Sequence, residues 1–196
     1  MVMRESRNLC VNPKPANNTA NTWIGNKCDI TLGDGMLVTT PDATDGMANQ
    51  IGNIYASWQS DTLPAGDYVA GVMLNSYSGA GDMPTFQNRI LLVTGADGSV
   101  LATAAYTGRD RTRYAARFIL PTAQQVTMRL YVPMADGQKA RYRQVLLMTA
   151  GDYDAMIKQC IAWFDGDAAI TGWGGVPPLS SAPAFRCACP RLGVCT

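Results

Sequence analysis

The chain has 196 residues, a formal net charge of +1 and 16% charged residues. This length suits one domain that buries a core without disulfide help. The low and balanced charge excludes a bulk electrostatic attraction to nucleic acid or to an anionic membrane. The sequence has no His, and its one Glu is Glu5, so the residue types that most often do acid–base chemistry are nearly missing. We therefore expect a protein that is not an enzyme.

Residues 1–22 are predicted to form an extended N-terminal arm, because they are polar and are broken by Pro13 and Pro15. The first residues lack the apolar run of a secretory signal, and no stretch approaches the roughly 18 apolar residues of a transmembrane helix. We expect synthesis in a cytoplasm without a signal peptide.

Short apolar or alternating runs, separated by Gly, Asp and Pro, follow the arm. One of these separators, residues 95–99, contains the Asp97-Gly98 pair that hairpin turns favour. Many short strands and no sustained helical period indicate an all-β fold, an antiparallel β-sandwich of the jelly-roll type. The predicted strands are residues 36–40, 54–59, 66–77, 89–94, 100–106, 113–120, 125–132 and 139–148.

One segment departs from the β pattern. Apolar residues recur at helical spacing over residues 153–164, and Asp152 could cap the start. The sequence therefore predicts one short helix near 153–164, inside a jelly-roll domain that covers residues 23–181.

The C-terminal residues 182–196 are predicted to form a cysteine-containing tail. Cys187, Cys189 and Cys195 are weak metal-ligand candidates, because their spacing is not that of a zinc site and no His is available as a further ligand. We expect no metal there, and an ordered or late-oxidised tail instead. Cys10 and Cys28 are interpreted as small apolar residues.

Both ends of the chain carry a family resemblance. Residues 7–13 read Arg-Asn-Leu-Cys-Val-Asn-Pro, residues 146–154 read Leu-Leu-Met-Thr-Ala-Gly-Asp-Tyr-Asp, and residues 164–167 read Phe-Asp-Gly-Asp before a Trp-Gly-Gly-Val-Pro motif at 173–177. Together they resemble the carbohydrate-binding-module-like jelly rolls of phage minor tail proteins and other virion surface or decoration proteins. The family usually places only a short link where this sequence predicts a helix.

The resemblance implies a non-enzymatic bacteriophage virion structural protein, made in the host cytoplasm and seated on the capsid or the tail at the virion surface. Its partners would be other virion subunits and further copies of itself, such as a trimer, with host cell-surface glycan as a second ligand. One alternative is a dedicated carbohydrate-binding receptor-recognition module. Another is an Asp-based glycoside hydrolase, which would need two carboxylates opposed across a groove.

A glycan-binding site is expected to contain an exposed aromatic ring with polar side chains near it. A sugar ring stacks on an aromatic face while neighbouring polar side chains bond its hydroxyls. Trp173 is flanked by glycines, with Asp165 and Asp167 close in sequence, and Trp58 lies in a predicted strand where a core position is the stronger interpretation.

The candidates for an assembly interface are Trp23 and a row of arginines, Arg109, Arg111 and Arg113, which would share one face of an extended hairpin. No cofactor is predicted. A structural calcium ion is a weak alternative, because Asp29, Asp34, Asp42 and Asp45 lie in a loop-rich region but lack the spacing of a calcium loop.

Overall fold

The computed structural model describes residues 7–10, 23–33, 36–41, 54–78, 89–108, 111–133 and 138–159. Within these ranges the chain forms ten strands and one helix. The strands are β1 (Ile24–Asn26), β2 (Cys28–Gly33), β3 (Met36–Pro41), β4 (Tyr55–Gln59), β5 (Gly66–Ser78), β6 (Leu91–Thr94), β7 (Val100–Ala104), β8 (Thr112–Leu120), β9 (Thr127–Tyr131) and β10 (Lys139–Thr149), and the helix is α1 (Ala150–Lys158).

The strands form two antiparallel sheets of five. The first sheet has the order β1-β4-β9-β6-β7, and the second has the order β2-β3-β10-β5-β8. All eight predicted strands are present, and the predicted antiparallel β-sandwich is confirmed. The apolar alternation that predicted the strands also builds the core, because each sheet turns its apolar positions towards the other.

The first sheet shows this alternation in register. Trp58 lies opposite Met128, and Ala56 lies opposite Leu130, and all four are buried in the core. The intervening residues of β4 and β9 therefore face outwards, away from the second sheet.

The second sheet contributes a run of buried residues from β5 and β8. Tyr68 lies opposite Phe118, with the two rings stacked at a centroid distance of 5.7 Å. The Tyr68 hydroxyl donates a hydrogen bond to the carbonyl oxygen of Pro64 at 2.9 Å, so its polar end is satisfied at the edge of the core.

The predicted hairpin tip at residues 95–99 is confirmed as the turn between β6 and β7. Gly98 has φ = 80°, a left-handed conformation that glycine adopts without steric cost. Asp97 accepts hydrogen bonds from the amide and the hydroxyl of Ser99, and these bonds lower the pKa of its carboxyl group.

The described residues 23–33, which follow the arm, form two strands that the sequence does not predict. These are β1 and β2, one in each sheet. Between them Lys27 has φ = 56°, which turns the chain from the first sheet to the second. Gly25 fits closely beside this corner, since a Cβ on it would lie 2.3 Å from the carbonyl oxygen of Cys28.

The helix begins earlier than predicted. α1 starts at Ala150 and its cap is Thr149 rather than Asp152. The Thr149 hydroxyl accepts a hydrogen bond from the amide of Asp152 at 3.2 Å, as an N-cap side chain does, and donates one to the Asp152 carboxylate at 2.7 Å. The predicted residues 160–164 lie outside the described part of the chain.

α1 packs on the outer face of the second sheet. Met156 is buried there against Val69, Leu146 and Met148, which form a small cluster separate from the main core. Arg117 on β8 forms an ion pair with Asp154 of the helix and lies 5.7 Å from the centroid of the Tyr153 ring. The ion pair lowers the pKa of Asp154.

No helix in the described part of the chain is long and apolar enough to cross a membrane.

The described residues of the predicted N-terminal arm, 7–10, pack against β10. The Asn8 amide donates a hydrogen bond to the carbonyl oxygen of Val145 at 2.9 Å, and its oxygen accepts one from the amide of Leu147 at 3.0 Å. The amide of Leu9 donates to the carbonyl oxygen of Leu147 at 2.7 Å. These bonds join this part of the arm to the second sheet, while Cys10 lies in the core.

Candidate functional site

Two of the tryptophans singled out in the sequence lie inside the sandwich. Trp23 is 2% exposed and Trp58 is 3% exposed, and both belong to the main core. For Trp58 this agrees with the core interpretation. Trp23 was a candidate for packing on a neighbouring chain, and the structure places it in the core of its own chain instead. Neither ring offers a face to a ligand.

The remaining sequence candidates fall into two groups. The first group lies outside the described residues and consists of Trp173, Asp165, Asp167, Arg109, Asp34, Asp42, Asp45, Cys187, Cys189 and Cys195. Asp29 lies exposed on β2. Within the described part of the chain, no group of three or more His, Cys, Asp or Glu could hold a metal ion.

The arginine row does not continue as one extended face. Arg111 has φ = 49° and precedes β8, whereas Arg113 lies within the strand. Arg113 is half-buried and donates a hydrogen bond to the side-chain oxygen of Gln144 at 3.1 Å. Burial lowers the pKa of Arg113. Arg113 thus contacts its own sheet, which leaves less of its side chain for a neighbouring chain.

A group of four side chains that the sequence analysis did not single out lies at the outer face of the first sheet. Tyr55 on β4 is directly opposite Tyr131 on β9, and their rings meet edge to face with centroids 6.1 Å apart. The guanidinium carbon of Arg129 lies 4.6 Å from the centre of the Tyr55 ring, and that of Arg89 lies 5.6 Å from the centre of the Tyr131 ring. We call these four residues the Tyr55 cluster.

The cluster has one accessible ring and one supporting ring. Tyr55 is half-buried, so the residue keeps some contact with solvent. Tyr131 is 1% exposed although its register places it on the outer face, and it therefore supports Tyr55 rather than binding a ligand itself. Edge-to-face rings and guanidinium groups above them are mutually favourable, so the cluster holds Tyr55 in one orientation.

Polar side chains continue this face along both strands. Ser57 lies opposite Arg129, and Gln59 lies opposite Thr127. The Gln59 side chain donates a hydrogen bond to the side-chain oxygen of Gln125 at 3.4 Å. The accessible Tyr55 ring is thus followed by hydroxyl and amide groups, which both donate and accept hydrogen bonds.

Arg129 sits at the centre of this face on the middle strand. It makes no ion pair with the described residues, and its Nε atom is buried without a hydrogen-bond partner among them. An unmet buried donor of this kind costs about 1–3 kcal/mol.

Of the two closely spaced carboxylate pairs, Asp165 and Asp167 lie outside the described residues, and Asp152 and Asp154 have other partners. Asp152 caps α1 together with Thr149, and Asp154 forms the ion pair with Arg117. Both lie at the outer face of the second sheet, and neither is left as an acid or base facing a groove.

The signal that could have revealed the Tyr55 cluster was the alternation in β4 and β9. Once Trp58 and Met128 are core residues, Tyr55 and Arg129 must face outwards. The sequence does not show that these two strands are neighbours, and only their pairing brings the two side chains together.

No protein-family model matches the chain, and no curated protein matches it either. Among solved structures, a family 29 carbohydrate binding module has a TM-score of 0.46 at 10% identity, covering 83% of this chain and 99% of that one. The second N-terminal cellulose-binding domain from Cellulomonas fimi beta-1,4-glucanase C has a TM-score of 0.47 at 16% identity, covering 76% and 98%.

A further similar structure is an agarase, with a TM-score of 0.43 at 6% identity. This chain covers 25% of the length of that enzyme, and 75% of this chain is covered. The structures named here include carbohydrate-binding modules and a glycoside-degrading enzyme, and none of them is a phage tail or decoration protein.

Proposed function

We propose that this chain is a non-enzymatic carbohydrate-binding module that binds glycan on the outer face of its first sheet. The observation that carries the proposal is the Tyr55 cluster, in which Arg129 at 4.6 Å and Tyr131 at 6.1 Å hold a partly accessible ring in place. A fixed ring binds a sugar with little loss of side-chain entropy on binding.

The chemistry of this face suits a saccharide. One side of a sugar ring presents C–H groups, which pack on an aromatic ring, while its hydroxyl groups need both donors and acceptors. Ser57, Gln59 and Gln125 lie along this face. The Ser57 hydroxyl donates to the carbonyl oxygen of Ile24 and the Gln125 amide donates to that of Ser60, so the hydroxyl lone pairs and the second N–H of each amide are the groups left for a saccharide. An extended chain of sugars would lie across β4 and β9 and contact the ring and the amides together.

The narrower assignment, a phage virion protein seated on the capsid or the tail, rests on the sequence resemblance alone. It remains a prediction, together with the virion-surface location, the virion subunits as partners and the trimer. Residues 7–10 contact β10 of the same chain, so a partner would bind the parts of the arm beyond them.

Glycan binding is tested with a saccharide array followed by calorimetric titration of the saccharides that bind. We expect Tyr55→Ala to abolish binding without unfolding the chain. A matched control is Tyr153→Ala, since Tyr153 is also half-buried beside an arginine but lies on α1, which packs on the second sheet. If no saccharide binds, or if Tyr153→Ala weakens binding as much as Tyr55→Ala, the proposal is wrong.

A further inference from the structure

The charges on the first sheet are of one sign. None of its five strands contains Asp or Glu, and the middle strand carries Arg129. Arg89 lies just before β6 and is exposed beside the Tyr131 ring. The accessible Tyr55 ring is therefore accompanied by two guanidinium groups and by no carboxylate from these strands.

Arg129 has no hydrogen-bond partner among the described residues, and because its Nε atom is buried, a ligand would bind at the terminal nitrogens. Tyr55 lies against its guanidinium group at 4.6 Å, and within the described part of the chain no carboxylate or carbonyl oxygen accepts a hydrogen bond from it. A guanidinium group packed on a ring keeps its N–H fork for an acceptor in its own plane. Oxyanions match this fork with two parallel hydrogen bonds.

Two arginines of the second sheet differ from Arg129, because each has a partner among the described residues. Arg117 forms an ion pair with Asp154, and Arg113 donates to Gln144. Their hydrogen-bonding groups are partly occupied by residues of the same chain. Arg113 also keeps one terminal nitrogen buried without a partner among the described residues, but Arg129 lies beside the half-buried Tyr55 ring on a sheet whose strands carry no carboxylate.

We propose that the saccharide bound at the Tyr55 cluster is anionic, with a carboxylate or sulfate group that binds to Arg129 while the sugar ring packs on Tyr55. This inference rests on the proposed glycan-binding function. Arg89 provides a second cation beside the same pair of rings, so a polymer that carries an acidic group on each sugar satisfies both arginines. The shared ligand chemistry is an oxyanion on a sugar.

The test compares three saccharides of matched length by calorimetric titration of the whole chain: cellohexaose, which is neutral, hexagalacturonate, which carries carboxylates, and a sulfated galactan hexasaccharide. We expect one of the anionic probes to bind about tenfold or more tightly than the neutral one at about 0.01 M salt. The difference should shrink when the salt concentration rises to about 0.1 M, because salt screens exposed charges.

The variants assign this preference to one residue. Arg129→Gln should remove the preference for the anionic probe. Arg129→Lys keeps the charge but loses the fork, and should restore less than the full affinity. Arg117→Gln is the matched control, because that arginine also lies beside a tyrosine but on the second sheet, and it should leave all three titrations unchanged.

The two proposals fail in different ways. If cellohexaose binds as tightly as both anionic probes, or if Arg129→Gln leaves the preference intact, the anionic assignment is overturned while glycan binding stands. If none of the three probes binds and the wider saccharide array is also negative, glycan binding itself is overturned. Binding by hexagalacturonate alone identifies a carboxylate ligand, and binding by the sulfated probe alone identifies a sulfate ester.

Discussion

The hydroxyl of Tyr142 donates a hydrogen bond to the main-chain carbonyl oxygen of Tyr131 and so links the two sheets through the core. Tyr142 belongs to β10 of the second sheet, and Tyr131 belongs to β9 of the first. Both side chains are almost fully buried. Because Tyr131 supports Tyr55, this bond fixes the strand that positions the candidate glycan-binding ring.

Replacing Tyr142 by Phe should destabilise the fold. The variant leaves the buried carbonyl oxygen of Tyr131 without this donor, which costs about 1–3 kcal/mol. Urea unfolding followed by tryptophan fluorescence measures the loss. Tyr153→Phe is the control, because that phenol is only half-buried on α1, and it should change stability by less than about 0.5 kcal/mol. Equal stability of Tyr142→Phe and the wild type would contradict the role of the bond.

Alkaline pH should weaken the fold through the same residue. Burial raises the pKa of Tyr142 well above its ordinary value of 10.0, so the unfolded chain releases this proton first as the pH rises. Its contribution is complete below about pH 10, and stability then falls by up to about 1.4 kcal/mol per pH unit. Unfolding midpoints measured from about pH 8 to about pH 11 should show this slope, and Tyr142→Phe should reduce it.

The buried thiol of Cys10 should also lower the stability of the fold at alkaline pH, and this loss should begin at a lower pH than that of Tyr142. Burial raises the pKa of its thiol above the ordinary value of 9.0, so its contribution begins to fall about one pH unit earlier. Cys10→Ala separates the two contributions. A stability profile that is flat from about pH 9 upwards in the wild type would show that neither group is buried as described.

The contact between residues 7–10 and β10 depends on Asn8. Asn8→Ala removes the acceptor for the amide of Leu147 and the donor to the carbonyl of Val145, both inside the fold. We expect a loss of about 2 kcal/mol or more in the free energy of unfolding. Thr122→Ala, at an exposed turn, should change it by less than about 0.5 kcal/mol. If the two variants are equally stable, these residues do not stabilise the sandwich.

Substitutions at two glycines, Gly25 and Gly33, test the backbone turn between β1 and β2. A methyl group at Gly25 would approach the carbonyl oxygen of Cys28 to 2.3 Å, whereas no heavy atom lies within 4 Å of the corresponding position at Gly33. Gly25→Ala should therefore lower stability by about 1–3 kcal/mol, because the backbone must move. Gly33→Ala should be neutral or slightly stabilising. Thermal unfolding of both variants decides the point, and a neutral Gly25→Ala would contradict the described corner.

The eight predicted strands could be found from the sequence because their alternation is strong, as in β8, where Tyr114, Ala116 and Phe118 are buried between outward-facing residues. β1 and β2 could not be found in this way. β1 has three residues with Gly25 at its centre, and Lys27 interrupts the extended backbone before β2. β1 is ordered by pairing with the distant strand β4, and β2 by pairing with β3, the next strand in the chain, rather than by local propensity.

The start of the helix and the Tyr55 cluster also depend on contacts that the sequence pattern does not show. The periodicity over 153–164 found α1, but its start depends on the bonds between Thr149 and Asp152, which a pattern of apolar residues does not contain. The Tyr55 cluster was missed for a related reason. Tyr55 and Arg129 are far apart in the sequence, and the register between β4 and β9 joins them. The sequence instead indicated Trp173 as the leading sugar-stacking candidate, which lies outside the described residues, and Trp58, whose stronger interpretation as a core residue agrees with its burial.

The most direct measurement for the central proposal is to map the saccharide contacts in solution. The isotope-labelled chain would be titrated with cellohexaose and hexagalacturonate, and the amide chemical shifts followed by NMR. Glycan binding at the Tyr55 cluster predicts that the largest shift changes lie at residues 55–59 and 127–131 on the outer face of the first sheet. Changes confined to the outer face of the second sheet, around Arg113 and α1, would contradict the proposed site.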